Sequence, residues 1–160
     1  MKRNNYRKTN VIWVHRIILL TVAVWLFTIS CHTSYKSQVQ TLQQVPDELL
    51  GTFKDDYGSI YHTSNKEWLH GAGTKYHLLM YNKEDNYFIA QNDKANPSDG
   101  GLYSRIDIMY FENMQPWKWG YCLTAYKAAT MQKAINTAAA DRVNPRKGCN
   151  GYPFSRMKRE

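Results

Sequence analysis

Polar and apolar side chains alternate along LYSRIDIMYF, residues 102–111. Arg105 and Asp107 fall on one face of this stretch, while Ile106 and Ile108 fall on the other. A period of two is typical of a β-strand with one buried face. The simplest interpretation of the polar face is an ion pair between Arg105 and Asp107 beside the core. A role in ligand binding would require that face to line a pocket.

Three other stretches carry signals of β-structure. Residues 51–63 hold two short β-prone runs around a turn, and residues 75–93 hold two runs that flank the loop KEDN as in a hairpin. Residues 117–126 place Cys122 on one face and four apolar side chains on the other, namely Trp117, Trp119, Tyr121 and Leu123. Together these stretches predict an antiparallel sheet.

The spacing of the apolar residues changes between Ala125 and Asp141. In this region the apolar stripe has the period of a helix and consists of Ala128, Met131, Ile135 and Ala138. A helix that follows strands in the chain buries such a stripe against the sheet. The predicted fold class is therefore α+β: a mainly antiparallel β-sheet or small open barrel, followed by one C-terminal helix and a disulfide-pinned tail.

The amino-terminal region has the composition of a targeting segment. An uncharged, mostly apolar run of 14 residues, 17–30, follows a basic stretch. A membrane-spanning helix needs ~20 apolar residues, whereas the core of a signal peptide has ~7–15. Length therefore favours a cleaved signal peptide over residues 1–30, with an uncleaved anchor as the alternative. The polar residues 31–48 predict a tether, and residues 49–160 the β-rich globular domain.

The predicted cleavage site ends at a cysteine. Thr28-Ile29-Ser30-Cys31 resembles a bacterial lipobox, in which the cysteine becomes the lipidated first residue of the mature chain. The alternative is an ordinary secretory cleavage site, because Thr28 and Ser30 are small residues at suitable spacing. A lipobox predicts a membrane-anchored lipoprotein outside the cytoplasm, and His32 after the cysteine favours the outer membrane if the organism has one. A secreted or periplasmic protein is the alternative.

The cysteine count bears on this choice. The chain has three cysteines, Cys31, Cys122 and Cys149, and an odd cysteine in an exported protein leaves a thiol open to oxidation or mispairing. If Cys31 carries lipid, Cys122 and Cys149 remain to form a disulfide. That disulfide would pin the tail, residues 145–157, whose Pro, Gly and Asn content favours neither a helix nor a strand. We expect the two aromatic residues of the tail to pack as a plug.

The net charge of +8 is concentrated in the predicted targeting segment. Residues 1–30 contain five basic residues and no acidic one, so the rest of the chain has 16 basic and 13 acidic residues, and 16 − 13 leaves +3. A net positive charge that comes mostly from the targeting segment does not indicate a nucleic-acid partner. The expected partners are the membrane, through the lipid anchor, and an unidentified ligand or envelope protein.

Five segments carry a resemblance to known proteins: GTFKDDYGSIYHTSNKEW, NYFIAQNDKANP, LYSRIDIMYF, WGYCLTAYKAAT and GCNGYPFSRM. With these segments, residues 50–157 resemble a small domain of bacterial extracytoplasmic proteins and lipoproteins. That family has no established biochemical activity, so the resemblance implies no catalytic residues. The strands followed by a helix, and the early Gly51-x-Phe53, are also similar to lipocalin-like barrels.

Acidic residues and histidines show few spacings that suit catalysis or metal binding. Asp55 and Asp56 are adjacent, so in a strand they point to opposite faces and do not act together on one substrate. His62, His70 and His77 match no compact metal site.

One loop offers oxygen ligands for a cation. Asp93, Asn96 and Asp99 form the pattern D-x-x-N-x-x-D-G, which could hold Ca²⁺. The alternative is an ordinary turn, in which Asx side chains bond to their own backbone. We expect no other metal site and no cofactor.

Aromatic side chains provide the other candidate binding surface, because they stack on sugars and contact lipid-like ligands. The alternative is that they form the core face of a strand. The candidates for ligand binding are Trp68, Trp117, Trp119, Tyr121, Arg105 and Asp107.

The sequence contains no P-loop, dinucleotide fingerprint, Gly-x-Ser-x-Gly motif or zinc-protease helix. We therefore predict a membrane-anchored, non-enzymatic binding module; the alternative is a small envelope hydrolase that uses loop Asp and His residues. A cavity lined by Trp and Tyr without convergent carboxylates would favour binding. Convergence of Asp55 or Asp56 with His62 or His77 in one cleft would favour hydrolysis.

Overall fold

Eight antiparallel strands close into a barrel in the part of the chain that the structure describes. This computed structural model describes residues 44–160, so the predicted signal peptide, Cys31 and most of the predicted tether lie outside the described residues. Each strand pairs with the next in the chain, and the last pairs with the first. The strands are β1 (Gly51–Asp55), β2 (Ile60–Thr63), β3 (Glu67–His70), β4 (Thr74–Asn82), β5 (Tyr87–Asn92), β6 (Tyr103–Tyr110), β7 (Trp119–Ala128) and β8 (Ser155–Arg159).

Two short helices accompany the strands. A 3-10 helix, Asp47–Leu49, precedes β1, and α1, Met131–Ile135, lies between β7 and β8. Within residues 44–160, no helix is long and apolar enough to cross a membrane. The 3-10 helix and the β2–β3, β4–β5 and β6–β7 loops lie at one end of the barrel, because successive strands run antiparallel. We term this the lower end, and the opposite one the upper end.

Inward-pointing aromatic side chains fill the barrel. The Trp68 ring lies 6.0 Å from Phe88 and 6.0 Å from Trp119, centroid to centroid, and both contacts are close to edge-to-face. Phe53 meets Trp119 at 5.0 Å in the same manner. Such contacts add to the stabilisation that comes from burying the ring surfaces. Val45 is buried in this core too, so the packed structure begins within the stretch expected to be a tether.

Helix α1 is shorter than the sequence pattern predicts. We expected a helix over Ala125 to Asp141, but β7 continues to Ala128, which pairs with Tyr103 of β6. The Thr130 side chain then caps α1 by accepting a hydrogen bond from the Lys133 N–H at 3.2 Å. The helix packs on β5, β6 and β7. It retains Met131 and Ile135 of the predicted apolar stripe, and both lie in a small outer cluster around Met80, Tyr87, Ile89 and Ala134.

The predicted disulfide is confirmed. Cys122 points outward from β7 and bonds to Cys149, with the two Cα atoms 5.4 Å apart. Of the two tail aromatics, Phe154 is 2% exposed and packs beside this disulfide, whereas Tyr152 is 73% exposed. The plug therefore consists of Phe154 alone.

The end of the tail differs from the prediction. We expected no strand there, but residues 155–159 form β8, which pairs with β7 on one side and with β1 on the other. This strand closes the sheet, so the structure is a closed barrel where an open one was predicted. The coarser expectation, a mainly antiparallel β-structure with one helix and a pinned tail, agrees with the structure.

Candidate functional site

A cavity of about 620 Å³ opens at the lower end of the barrel. Its inner wall meets Phe53, Trp119 and Met157 of the barrel core, which are themselves 2% exposed or less. Tyr110 and Phe111 line it from the end of β6 and the residue that follows. Small-molecule sites usually have volumes of roughly 300–1,000 Å³ and a mostly apolar lining with a few polar groups. The lower cavity has both properties.

Charged side chains contribute to the same cavity. They are Glu48, Lys118, Lys158 and Arg159. Lys118 is exposed in the β6–β7 loop, and no ion pair involves Lys118 or Lys158 in the described part of the chain. The cavity therefore combines an apolar interior with an excess of positive charge.

Arg159 is held in place by contacts that leave some of its donors free. Its guanidinium carbon lies 5.0 Å from the centroid of the Phe53 ring, and Nη1 donates to the Leu50 carbonyl at 3.0 Å. Gly51 makes this position possible, because a Cβ there would lie 2.6 Å from Arg159 Nη1. Gly51 also has φ +118°, a backbone conformation that L side chains rarely adopt. A guanidinium has five N–H donors, so the ordered Arg159 can still donate to an anion.

Tyr110 supplies a neutral hydroxyl to the cavity. Burial raises the pKa of Tyr110 well above its ordinary value, and hydrogen bonding to Tyr81 and the charge of Glu48 raise that pKa further. Burial raises the pKa of Tyr81 as well, and the Tyr81 hydroxyl donates to Asn86 Oδ1 at 3.0 Å. Both phenols therefore stay protonated at neutral pH, and Tyr110 can act as a hydrogen-bond donor or acceptor there.

A second polar cluster lies inside the upper end of the barrel. The Tyr61 hydroxyl donates to Asp55 Oδ2 at 2.9 Å and lies 2.9 Å from the Tyr121 hydroxyl, while the His70 ring stacks on Tyr61 with centroids 4.4 Å apart. Burial raises the pKa of Tyr61, and the charge of Tyr121 and its hydrogen bond raise it further. Burial also raises the pKa of Tyr121. Asp55 Oδ1 accepts from the Ser59 N–H at 2.8 Å. The hydroxyl groups and the carboxylate of this cluster therefore bond to one another and to the β1–β2 turn.

Arg105 and Asp107 lie on the outer face of β6, beneath α1 and the chain that follows it. Arg105 donates to the Asp107 carboxylate from Nε at 3.1 Å and from Nη2 at 3.0 Å, and Nη1 donates to the Ile135 carbonyl at 2.9 Å. The Arg105 guanidinium also lies 3.8 Å from the centroid of the Tyr87 ring. The ion pair that the sequence suggests is therefore present, and α1 covers the face that would have had to line a pocket.

The predicted aromatic candidates do not form one surface. Trp68 and Trp119 are buried in the core, and Tyr121 points into the upper end of the barrel. Trp117 was placed on the same face as Trp119, but its ring lies on the outer side of the barrel, against Arg156 at 5.3 Å and Lys158 at 5.4 Å. The reason is that Trp117 precedes β7 and belongs to the loop, so it does not follow the alternation of the strand. Of the six candidates, Trp119 alone lines the lower cavity.

The carboxylates and histidines proposed for hydrolysis do not converge in one cleft within residues 44–160. Asp55 lies inside the barrel, whereas Asp56 lies outside and forms an ion pair with Arg156 at 2.8 Å. The His62 Nδ1 atom lies 3.2 Å from Thr52 Oγ1 on the outer face of β1 and β2. His77 contacts two other carboxylates, Asp93 at 2.8 Å from Nε2 and Glu67 at 3.7 Å from Nδ1. Asp55 and Asp56 therefore point to opposite faces of the sheet, as expected from their adjacency in the sequence.

The candidate calcium loop uses its oxygens on the protein itself. Asp93 Oδ1 accepts from the Ala95 N–H at 2.9 Å, and Asn96 Oδ1 accepts from the Lys75 N–H at 2.9 Å. The bond from Ala95, followed by the bond from His77, lowers the pKa of Asp93. Asp93 and Asn96 thus shape a turn through their side chains, and Asp99 does so through its backbone carbonyl, which accepts from Asn92 Nδ2 at 3.1 Å. No group of three His, Cys, Asp or Glu side chains within residues 44–160 is placed to hold a metal ion.

Comparisons with protein-family models, with curated proteins and with solved structures found no match to this chain. The site therefore rests on geometry. Sequence reasoning missed Glu48, Tyr110 and Arg159, because they come from the 3-10 helix region, the end of β6 and an unpredicted strand. Only the closed barrel brings them together.

Proposed function

We propose that the protein is a bacterial envelope lipoprotein, anchored through Cys31, that binds a small ligand in the lower cavity without catalysing a reaction. The observation that carries this proposal is the cavity itself: about 620 Å³, with a Trp and Tyr lining and one carboxylate. The arrangement that would favour a hydrolase, Asp55 or Asp56 beside His62 or His77, is not found among the described residues.

The lining indicates the chemistry of the ligand. Tyr110, Phe111 and Pro116, in front of the buried core, favour an apolar body. Lys118, Lys158 and Arg159 favour an anionic group at the edge of the cavity. Cations that lack an ion pair in the free protein lose no partner when an anion binds, which favours an anion over a cation. The proposed ligand is an amphiphile with one short apolar chain and a carboxylate or phosphate.

Two further features support the proposal. The Cys122–Cys149 disulfide is consistent with a location outside the cytoplasm, where disulfides persist. As part of the proposal, the protein resembles lipocalin-like barrels, and a closed up-and-down barrel of eight strands supports that likeness. If the organism has an outer membrane, His32 after the proposed lipidated cysteine favours that membrane, by resemblance to envelope sorting rules.

Photocrosslinking tests the proposal with the protein in its own membranes. The probe is a decanoic acid that carries a diazirine and an alkyne, and the labelled residues are mapped by mass spectrometry. We expect labels on residues 110–119 and 157–159, and competition by decanoate but much less by decylamine. Labels spread evenly over the barrel, or labels that excess decanoate does not remove, would contradict the proposal.

Charge variants refine the test. Lys118→Glu combined with Lys158→Glu is expected to reduce specific labelling by about tenfold, because each change removes an attractive charge and adds a repulsive one. Lys94→Glu combined with Lys133→Glu makes the same charge change away from the cavity, in the β5–β6 loop and in α1, and is the control. Equal labelling of the two variants would show that the rim charges do not hold the anion.

A further inference from the structure

The outer face of β1 and β8 carries a like-charged pair of side chains. Lys54 and Lys158 are direct partners in the antiparallel register, and both point outward because their neighbours Phe53 and Met157 point into the core. Like charges directly opposite one another in a sheet are destabilising. Neither lysine has an ion pair among residues 44–160. The pair therefore costs stability in the free protein.

More cations lie beside this pair. Arg156 is two residues before Lys158 on the same face of β8, and Lys118 is exposed in the adjoining β6–β7 loop. The Trp117 ring contacts the cationic groups of both Arg156 and Lys158. We define the basic face as Lys54, Trp117, Lys118, Arg156 and Lys158. Among the ion pairs of residues 44–160, one involves this face: Arg156 pairs with the neighbouring Asp56 at 2.8 Å.

The basic face is open to solvent and has apolar groups at its edge. Helix α1 covers β5, β6 and β7, which leaves the outer side of β1, β2 and β8 uncovered by that helix. Ile60, the register partner of Lys54 on β2, is 41% exposed, and Met114 of the β6–β7 loop is 39% exposed. Lysines and arginines around a half-buried tryptophan, with exposed aliphatic side chains nearby, suit the boundary between lipid headgroups and acyl chains.

We propose that the basic face docks on the anionic phospholipid headgroups of the membrane to which the protein is anchored. This inference rests on the proposed function, because it requires the anchor. The lipid anchor alone fixes no orientation of the barrel, so the charge distribution of the barrel selects the surface that meets the bilayer. Lys118 and Lys158 belong both to this face and to the lower cavity, so docking brings the cavity opening beside the headgroups, where amphiphiles are most concentrated. A soluble polyanion satisfies the cations equally but gives Trp117, Ile60 and Met114 no apolar surroundings.

Lysine acetylation of the full-length protein in nanodiscs tests the docking. The rate at each lysine is measured by mass spectrometry in neutral phosphatidylcholine discs and in discs that also contain phosphatidylglycerol. We expect acetylation of Lys54, Lys118 and Lys158 to slow by about fivefold or more in the anionic discs, since each Lys or Arg near such a surface multiplies the docking equilibrium constant by about five and docked lysines are shielded. Lys94 and Lys133, in the β5–β6 loop and in α1, should react equally in both. High salt should restore the rates.

Variants show whether the slower acetylation comes from docking of the basic face or from the surroundings of each single lysine. Trp117→Ala combined with Lys118→Gln removes part of the face and keeps Lys54 and Lys158 as reporters, and both reporters should lose most of their protection. Lys94→Gln should leave the protection unchanged. Because Trp117 and Lys118 lie in a loop, the barrel should still fold, and an intact disulfide in a non-reduced digest checks this.

Three outcomes would overturn the inference. If the protein remains with the discs but the three lysines react equally in both lipids, docking is wrong while the anchored binding module stands. If polyphosphate in solution protects the lysines and anionic discs do not, the face binds a soluble polyanion and not the membrane. If the protein does not remain with the discs at all, the proposed anchor fails, and the docking proposal fails with it.

Discussion

Arg142 donates a hydrogen bond from Nη2 to Asp107 Oδ1 at 3.1 Å, although 35 residues separate the two along the chain. Asp107 is fully buried and also accepts hydrogen bonds from Arg105, from the Thr124 hydroxyl and from the Ala140 N–H. One carboxylate thus joins β6, β7 and the segment that follows α1. It fixes the chain that leads from β7 to the disulfide and then to β8.

Asp107→Ala is therefore expected to destabilise the fold by about 3–5 kcal/mol, because the buried Arg105 guanidinium loses its counter-charge. Urea unfolding followed by tryptophan fluorescence measures the free energy of unfolding. Asp85→Ala is the control, since Asp85 is exposed in the β4–β5 loop and should change stability by no more than about 0.5 kcal/mol. A loss below about 1 kcal/mol for Asp107→Ala would mean that the cluster is not as tightly coupled as its geometry indicates.

Exchanging the two charges provides a sharper test of the same cluster. In an isolated pair, Arg105→Asp with Asp107→Arg should recover part of the stability lost in each single variant. Here we expect no recovery, because Thr124, Ala140 and Arg142 all donate to position 107 and an arginine there has no acceptor to offer. Double-mutant-cycle unfolding measurements decide between the two results.

The disulfide is expected to stabilise the closed barrel mainly by restricting the unfolded chain. Cys122 and Cys149 are 27 residues apart, which on the chain-entropy argument corresponds to about 3–4 kcal/mol. Cys149→Ser should lower the free energy of unfolding by that amount and expose the tail to cleavage near Arg146 and Lys147. Reduced wild-type protein should behave in the same way. A non-reduced digest in which both cysteines are free would contradict this prediction.

The sequence pattern predicted the central strands better than the closure of the barrel. The alternation in residues 102–111 gave β6, and the KEDN hairpin gave β4 and β5, because these strands pair with sequence neighbours and have one buried face. β8 was missed for two reasons. Its sequence, SRMKR, has one apolar residue, and one of its partners, β1, lies about a hundred positions earlier in the chain.

The candidate site was less predictable than the fold. Its lining comes from parts of the chain that meet only when β8 pairs with both β1 and β7. Trp119 was identified as a candidate because aromatic residues suit ligands. Arg159 gave no signal, since one more arginine in a basic terminus is unremarkable until its contacts with Leu50 and Phe53 are known. Local patterns define strands, and long-range pairing defines this site.

Buried tyrosines should make stability depend on alkaline pH. Burial, followed by the charge of Asp99, raises the pKa of Tyr76 to about 12, whereas an unfolded tyrosine titrates near 10. The raised pKa means that the folded state keeps the proton longer. The resulting stabilisation, about 3 kcal/mol, is fully present below about pH 10 and is lost as the pH rises towards about 12.

Tyr76→Phe isolates this effect, because it removes the titrating hydroxyl and keeps the ring. We expect wild type to lose more stability than the variant between about pH 10 and about pH 12, by roughly the same 3 kcal/mol. Urea unfolding across this range measures the difference, and phenolate absorbance follows the ionisation directly. Parallel pH profiles for the two proteins would show that Tyr76 titrates normally.

Gly120 controls how β8 closes the barrel. A Cβ at Gly120 would lie 2.8 Å from the Ser155 carbonyl oxygen and 2.9 Å from a ring carbon of Phe111, so both β8 and the Phe111 ring must move relative to β7 when a side chain is added. We expect Gly120→Ala to cost about 1–3 kcal/mol of stability, as overpacking usually does. Because Phe111 lines the lower cavity, the same variant should also weaken photocrosslinking of the decanoic acid probe. Gly73→Ala is the control, since a Cβ there meets nothing within 4 Å. If both variants unfold at the same urea concentration and label equally, the contact between β7 and β8 is looser than this geometry requires.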